Sequence, residues 1–437
     1  MEIKAFKALR FNSKVVGNAG DCIAPPYDVI NEQLRERLYA KNNYNVVRLT
    51  RNKPTAKDND TNNPYTRAAA LLNEWIKKGA LKEDQAETIY AYVQNFEIAG
   101  RKYQRGTFIS LAKLEEYGSG VKPHENTLSG PKADRLNLQR ATGAKFGLIF
   151  MLYNDPAKTA DGIIDKTAKS SKPLIEFADE DGVKHKLFAI TQTGDIRTIC
   201  ELMKDKSCVI ADGHHRYQTA LDYYAETKNP KAQYQIMAFA NTQNKGMIVL
   251  ATHRLVYGLK GFTTEKLLEG LKANFEITEY PFKTDADKPA AKAKMLGQMK
   301  KVWNNNGNAY GVYTGNDKFY VASLSDKVVM DSALPGKSAA YKQLQVSVLH
   351  KLVFEDLLGI GEKELAEKSN LEYIKDTPNA IDDTISRVEA GEIQAAFFLN
   401  PEKMDMIQKV ADAGEKMPQK STFFFPKVYS GMTIYKM

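Results

Sequence analysis

Hydrophobic positions along the chain alternate in some stretches, recur at helical spacing in others and break at turn residues, a pattern that predicts a mixed α/β protein of several domains. Thr88–Ile98 and Tyr103–Leu111 alternate in strand fashion across Ala99-Gly100-Arg101-Lys102, which predicts a hairpin. A second hairpin is predicted for Pro173–Ala178 and Lys184–Thr191 over Asp179-Glu180-Asp181-Gly182. Amphipathic spacing predicts helices over Glu32–Lys41 and Ala68–Lys78, the first entered from the turn Ile23-Ala24-Pro25-Pro26-Tyr27-Asp28, where tandem prolines fix the backbone. Arg51–Pro64 is rich in Asn, Asp and Lys and reads as a mobile surface loop. Beyond Gly261, helices over Glu265–Ala273, Lys342–Leu358 and Ala380–Glu389 alternate with strands over Tyr310–Thr314, Phe319–Leu324 and Gln394–Leu399.

The sharpest local pattern is Lys206–Tyr224. An apolar strand, Cys208–Ala211, reaches Asp212-Gly213, and a helical pattern starts at once with Tyr217, Ala220, Leu221 and Tyr224. Unpaired N–H groups, the positive end of a helix dipole, His214, His215 and the Arg216 guanidinium then converge on one spot, which suits a phosphate or carboxylate. The plainer alternative is that Asp212 caps the helix and both histidines lie on its exposed first turn. Strands over Gln235–Ala240 and Met247–Ala251 follow. The expected division is an N-terminal α+β domain over 1–195, a unit over 196–260 built on this turn, and a C-terminal α/β region over 261–437.

Composition changes the picture mainly by exclusion. With 437 residues, 43% apolar and 26% charged, the chain can fill two or three cores. No apolar run approaches membrane-spanning length and the first residues lack a secretory apolar core, so a cytoplasmic protein with no membrane partner is expected. Three scattered cysteines make no disulfide framework or zinc site. The net charge of +9 is spread over mixed faces without a dense basic arm, which favours small anionic ligands over nucleic acid.

Three further clusters carry chemistry. The loop Lys122–Arg140 gathers His124, Glu125, Asn126, Thr127, Lys132, Asp134, Arg135 and Arg140, supplying both the cations of a phosphate site and the carboxylate of a metal–nucleotide site. Its plainer reading is a surface loop in which Asp134 caps the helix of Leu136 and Leu138. Thr252-His253-Arg254 places a second His-Arg pair at a strand end. Lys420, Ser421 and Thr422 precede Phe423-Phe424-Phe425, polar donors against an apolar wall. A strand over Val328–Met330 followed by Asp331–Ser338 imitates a P-loop, but Asp331 replaces its first glycine and Pro335 stiffens the wrap, so phosphate binding is not expected there.

The segments Ile23–Ile30, His124–Thr142, Ala211–Leu221, Ala251–Val256, Leu344–Ile360 and Met417–Lys427, in this order, resemble the bacterial and archaeal family named domain of unknown function 1015. Within it the strand, the DGHHR turn and the helix are similar to the nucleotide-handling unit of the ParB/sulfiredoxin superfamily, and more closely to free-serine kinases of that fold. Sulfiredoxins carry a reactive Cys where His214 stands, which removes thiol chemistry. No helix-turn-helix of a ParB partner domain is evident. The resemblance implies that Gly213 allows phosphate approach, that His214, His215 and Arg216 meet phosphates, and that Asp212 meets a metal or a substrate hydroxyl. It also implies a link to serine biosynthesis.

The expectation is therefore a nucleotide-dependent phosphotransferase using ATP or ADP with Mg²⁺ to phosphorylate a hydroxylated amino acid such as L-serine. Glu125 or Asp212 accepts the hydroxyl proton, while Arg216, His215, His253 and Lys132 neutralise phosphoryl charge. Substrate contacts are expected from His124, Asn126, Thr127, Lys420, Ser421 and Thr422, with Arg135, Arg140 or Arg254 holding the carboxylate. A nucleotide-gated ParB-like binding protein and a phosphohydrolase are the alternatives.

Overall fold

Strand alternation and turn chemistry build the centre of the first half of the molecule. In this computed structural model, which describes residues 1–118, 120–125, 129–361 and 369–437, with 129–131 described by backbone alone, Ile89–Ile98 (β2) and Arg101–Lys113 (β3) form one long antiparallel hairpin, running from Ile98↔Arg101 to Tyr90↔Ile109. Its two-residue turn, Ala99-Gly100, has φ of 48° and 75°, the paired left-handed conformation whose twist matches the flanking strands. The first strand of the sheet is Ile3–Lys4 (β1), paired with β3 through Ile3↔Ala112.

The other strands are Val121–Lys122 (β4), Ile149–Tyr153 (β5), Ile175–Ala178 (β6), Lys184–Ile190 (β7), Cys208–Asp212 (β8) and Tyr234–Asn241 (β9). They run β4-β8-β5-β9-β3-β2-β7-β6 across the sheet. β9 is parallel to β5 and antiparallel to β3, while β8 is antiparallel to β5 with a register shift between Ile210 and Asp212. A bulge there re-aims the last residue of β8. The predicted second hairpin is β6 with β7, in register Lys184↔Ala178.

The helices of ten residues or more in this half are Glu32–Lys41 (α1), Pro64–Lys77 (α2), Ser129–Thr142 (α3), Thr159–Ser170 (α4), Thr193–Lys204 (α5) and His214–Thr227 (α6). Tyr217 and Leu221 of α6 enter one core with Phe108, Ile149, Met151, Ile210, Met237 and Phe239. Burying each such side chain contributes roughly 1.5–3 kcal/mol, which ties α6 to the strand that precedes it.

The chain forms two compact units, Met1–Ile248 with Pro426–Met437, and Val249–Phe425. The expected unit over 196–260 is not separate: β8 and β9 are interior strands of the sheet that also holds β2 and β3, so the boundary falls near 248 instead. The second unit has the strands Thr252–Val256 (β10), Phe275–Pro281 (β11), Ala309–Tyr313 (β12), Lys318–Leu324 (β13), Leu371–Lys375 (β14) and Ala395–Phe398 (β15), ordered β11-β13-β12-β15-β10-β14. Lys288–Asn304 (α7) and Ala380–Glu389 (α8) cover it with Met295, Met299, Ile385 and Val388.

Two local expectations are corrected. Val328–Met330 is not a strand; Val329–Ala333 is a short helix. The helix expected over Lys342–Leu358 is broken into Ala339–Lys342, Gln345–Val348 and a wider π-helical stretch, Leu349–Glu355. The polar stretch before α2 is organised around Arg67, whose guanidinium donates to Asn52, Asp58, Asn62 and the Lys53 carbonyl. Among the described residues no helix is long and apolar enough to cross a membrane.

Candidate functional site

The bulge in β8 delivers Asp212 to the point where strand becomes helix. Its Oδ2 accepts from Arg216 Nη2 at 2.5 Å and its Oδ1 from Lys427 Nζ at 2.6 Å. The three side chains are only 10–15% exposed. Burial pushes the Asp212 carboxyl upward, but Lys427 and Arg216 together outweigh it and hold the group well below the usual carboxylate range. Gly213 follows with φ of 99°, a conformation an L side chain seldom adopts. A Cβ there would also lie 3.0–3.1 Å from the Arg216 guanidinium, so Gly213 permits both the turn and the close approach. α6 begins immediately, with the Tyr217 amide donating to the Gly213 carbonyl at 2.9 Å and no side chain capping the helix. The positive end of a four-turn helix therefore opens beside an Asp–Arg–Lys cluster.

A buried layer fixes Lys427. Arg105 on β3 is fully buried, donates to Gln94 Oε1 and to the Pro426 carbonyl, and lies 4.7 Å from the centroid of the Phe150 ring. Burial lowers its pKa to about 10, against the nearby Tyr92 hydroxyl and Asp212 carboxylate, which act to raise it. Gln94 in turn donates to the Lys427 carbonyl at 2.9 Å. Arg105 and Gln94 thus clamp the backbone that aims Lys427 at Asp212. Behind Gln94, His185 Nε2 meets Asp179 Oδ2 at 2.9 Å while its Nδ1 meets the Tyr92 hydroxyl at 2.6 Å, and the Tyr429 hydroxyl donates to Asp179 at 3.0 Å.

His124 and His214 sit face to edge with centroids 4.7 Å apart. The His124 amide donates to His214 Nε2 at 3.2 Å, and His124 Nδ1 donates to the Ile210 carbonyl. Burial lowers both pKa values, His214 furthest because His124 adds to the effect. Each ring is then a neutral, hydrogen-bonded interior group, so His214 brings no positive charge of its own to a phosphate. The same contacts pin the start of the 124–140 loop to β8. Glu125 is the residue next to His124. Asn126 and Thr127 lie outside the described residues.

The remaining sequence candidates disperse. Lys132 pairs with Asp222 at 3.5 Å, two turns along α6 from His215. Arg140 pairs with the exposed Glu226 at 2.7 Å; twelve residues at 1.5 Å each put Glu226 about 18 Å along the helix from His214. Arg140 is thus not brought to the turn. Asp134 does not cap a helix; it lies inside α3 and accepts from the Tyr65 hydroxyl at 2.9 Å and from Arg135. Arg135 also donates to the Thr50 carbonyl at 2.9 Å and stacks 4.1 Å over Tyr27. Together with Arg35 and Arg51 it lines a cavity of about 370 Å³.

His253, Arg254, Lys420, Ser421 and Thr422 belong to the second unit. There Arg254 is fully buried, donates to the Thr252 and Lys420 carbonyls, and has its pKa lowered to about 10 by burial. His253 Nδ1 accepts from the Leu399 amide at 3.2 Å, and Ser421 donates to the Pro418 carbonyl. Sequence reasoning missed Lys427, Arg105 and Tyr27 as site residues. Lys427 and Tyr27 each lie within a motif already singled out, whereas Arg105 sits in a strand that reads as ordinary alternation.

Both oxygens of Asp212 face cations, Oδ2 toward Arg216 and Oδ1 toward Lys427. Among the described residues no group of three or more His, Cys, Asp or Glu side chains converges as metal ligands do.

A family model described as "Protein of unknown function (DUF1015)" matches residues 3–351. The chain belongs to that family. Membership bears out the family resemblance read from the sequence and assigns no activity. No curated protein matches the chain. Among solved structures, this DUF1015 member is similar to a "Free serine kinase in complex with AMP" (13% identity, 72% of this chain and 86% of that one, TM-score 0.35). It is also similar to a conserved hypothetical protein from Pyrococcus furiosus (14%, 75% and 94%, TM-score 0.35) and to SbnI from Staphylococcus aureus (10%, 73% and 84%, TM-score 0.33). Likeness of this degree decides neither fold nor activity.

Proposed function

We propose that the protein is a nucleotide-dependent phosphotransferase acting on a small hydroxylated amino acid, with L-serine the acceptor suggested by the sequence resemblance. The observation that carries this reading is the turn itself: a left-handed glycine opens an uncapped helix N-terminus beside Arg216 and Lys427, both held by one carboxylate. Such a terminus receives phosphate oxygens without reorganisation. In the transfer, the acceptor oxygen bonds to the terminal phosphorus of ATP or ADP as the bridging P–O bond to the nucleotide breaks. The acceptor proton goes to a carboxylate, and the charge left on the departing oxygen is met by Arg216 and Lys427.

Glu125 is the better base of the two carboxylates first considered. Asp212 is paired twice and held strongly ionised, which makes it a poor proton acceptor near neutral pH and a good holder of Arg216 and Lys427. His215, the second residue of the helix, is assigned by this reading to assist at phosphate. Mg²⁺ enters this reading as an ion carried on the nucleotide's own phosphates, and no step is routed through it.

The test is phosphoryl transfer by purified protein given ATP or ADP, Mg²⁺ and L-serine, following O-phosphoserine. Arg216→Ala is expected to abolish nucleotide binding, whereas Glu125→Ala keeps binding and slows turnover about 10²–10⁴-fold, the range for a lost general base. Saturable nucleotide binding without any transfer would replace this reading with a nucleotide-gated binding protein, and equal loss of binding in both variants would overturn the division of roles.

A further inference from the structure

Behind Arg216, between α3 and α6, lies a half-open cavity offering about 60 Å³ to the centres of water-sized groups. One water needs roughly 10–15 Å³ on that measure, so the space admits several waters or a small organic group. Its chemistry is one-sided. Arg135, Lys145 and Arg216 line it and no carboxylate does. Arg135 and Arg216 turn to Asp134 and Asp212, but Lys145 is buried and, among the described residues, donates only to the carbonyls of Ala232 and Tyr234, at 3.2 and 2.6 Å.

Three polar atoms on this wall are buried without a hydrogen-bond partner among the described residues: Gln139 Nε2, Thr219 Oγ1 and Arg216 Nε. Gln139 is 7% exposed and Thr219 2%. Native interiors satisfy nearly all such groups, so three orphans on one cavity point to something that belongs there. Two of them can only donate and the third can donate, so their common partner is rich in acceptors. Beside Arg216, Gly147 keeps the wall open, since a Cβ there would stand 3.2 Å from Arg216 Nη1 and 3.4 Å from Ser430 Oγ.

We propose that this cavity is a subsite for a small oxyanion, with Gln139, Thr219 and the Nε of Arg216 as its hydrogen-bond donors and Lys145 supplying uncompensated positive charge. The assignment deepens the phosphotransferase reading, because Arg216 is shared: one edge of its guanidinium holds Asp212 at the turn while Nε serves the cavity. In that setting the oxyanion is the carboxylate of the acceptor; bound alone, inorganic phosphate has the same chemistry. The burial that pushes the Lys145 pKa down to about 7 would be offset by an anion beside it, so binding should be accompanied by proton uptake near neutral pH.

The experiment is calorimetric titration of the full chain with inorganic phosphate, with L-serine and with ethanolamine, which keeps the hydroxyl and amine but lacks the carboxylate. ADP is titrated in parallel. The expected result is binding of phosphate or L-serine but not ethanolamine, weakened at least tenfold in Gln139→Leu/Thr219→Val, with ADP affinity changed less than twofold. Gln139→Glu, nearly the same shape but negative, should abolish oxyanion binding and guards against a misfolded double variant. Preference for L-serine over phosphate would assign the site to the acceptor, and the reverse to phosphate itself. Oxyanion affinity equal in wild type and Gln139→Glu, or no oxyanion bound by a wild-type protein that binds ADP, would overturn the subsite and leave the nucleotide reading standing. Oxyanion binding that is lost in the variants of a protein that never binds ADP would do the opposite.

Discussion

Asp212 holds two cations with one carboxylate, and at the scale of the residue this is the site's largest electrostatic commitment. Replacing it with Asn removes the carboxylate charge that faces both nearly buried cations, Arg216 and Lys427, a change expected to cost about 3–5 kcal/mol at pH 7. The pH dependence has a definite sign. The folded carboxyl titrates below its unfolded value, so the native state binds fewer protons and the stabilisation is fully present above the unfolded pKa of ~3.9. It is lost as pH falls below that value. Wild type and Asp212→Asn should therefore differ most between pH 5 and 7 and converge toward pH 2 in urea melts; parallel stability curves down to pH 2 would show that Asp212 carries no such linkage. The sequence made Asp212, Gly213 and Arg216 legible because strand, turn and helix are contiguous there. It could not reveal Lys427, which meets Asp212 across 215 residues of chain. His214 misled for a different reason: the first turn of a helix reads as exposed, but its ring is buried against His124, which arrives from another loop.

At the scale of the element, β8 and α6 behave as one piece held by both packing and hydrogen bonds. Tyr217, fully buried on α6, donates its hydroxyl to the Glu115 carbonyl at 2.7 Å and accepts from the Glu115 amide at 3.1 Å. One hydroxyl thus satisfies both backbone groups of Glu115, two residues past the end of β3. Tyr217→Phe keeps the ring and should cost about 1–3 kcal/mol by stranding those groups, read as a lower urea midpoint with an unchanged slope; a midpoint equal to wild type would mean that water replaces the hydroxyl. Elements of this kind were legible wherever one periodicity ran uninterrupted, as in the two hairpins, α1 and α8. Periodicity failed where a helix changes pitch. Leu349–Glu355 keeps an apolar face through a π-helical stretch, so Lys342–Leu358 reads as one helix although it is three pieces. Val328–Met330 failed because three apolar residues are too short a window to separate strand from helix.

At the scale of the whole molecule, the chain leaves the first unit after Ile248 and returns to it at Pro426. No composition shift marks either crossing, which is why the division expected from sequence fell elsewhere. The returning segment does two jobs that can be separated. Met432 and Ile434 are buried, and Leu9 exchanges backbone hydrogen bonds with Ile434 as Ala24 does with Ser430, so the segment completes the core. Lys427, clamped by Gln94 and Arg105, completes the charge cluster. Lys427→Met in the full chain should then leave the fold intact and weaken nucleotide binding about tenfold, because one cation is lost while the helix terminus and Arg216 stay. Deleting Pro426–Met437 should instead remove binding and unfold the first unit together, seen as loss of its cooperative transition in calorimetry. If the deletion kept that transition and lost only binding, the segment would be an addition to a unit that folds without it. If Lys427→Met bound nucleotide as wild type does, the cation that matters at the turn would be Arg216 alone.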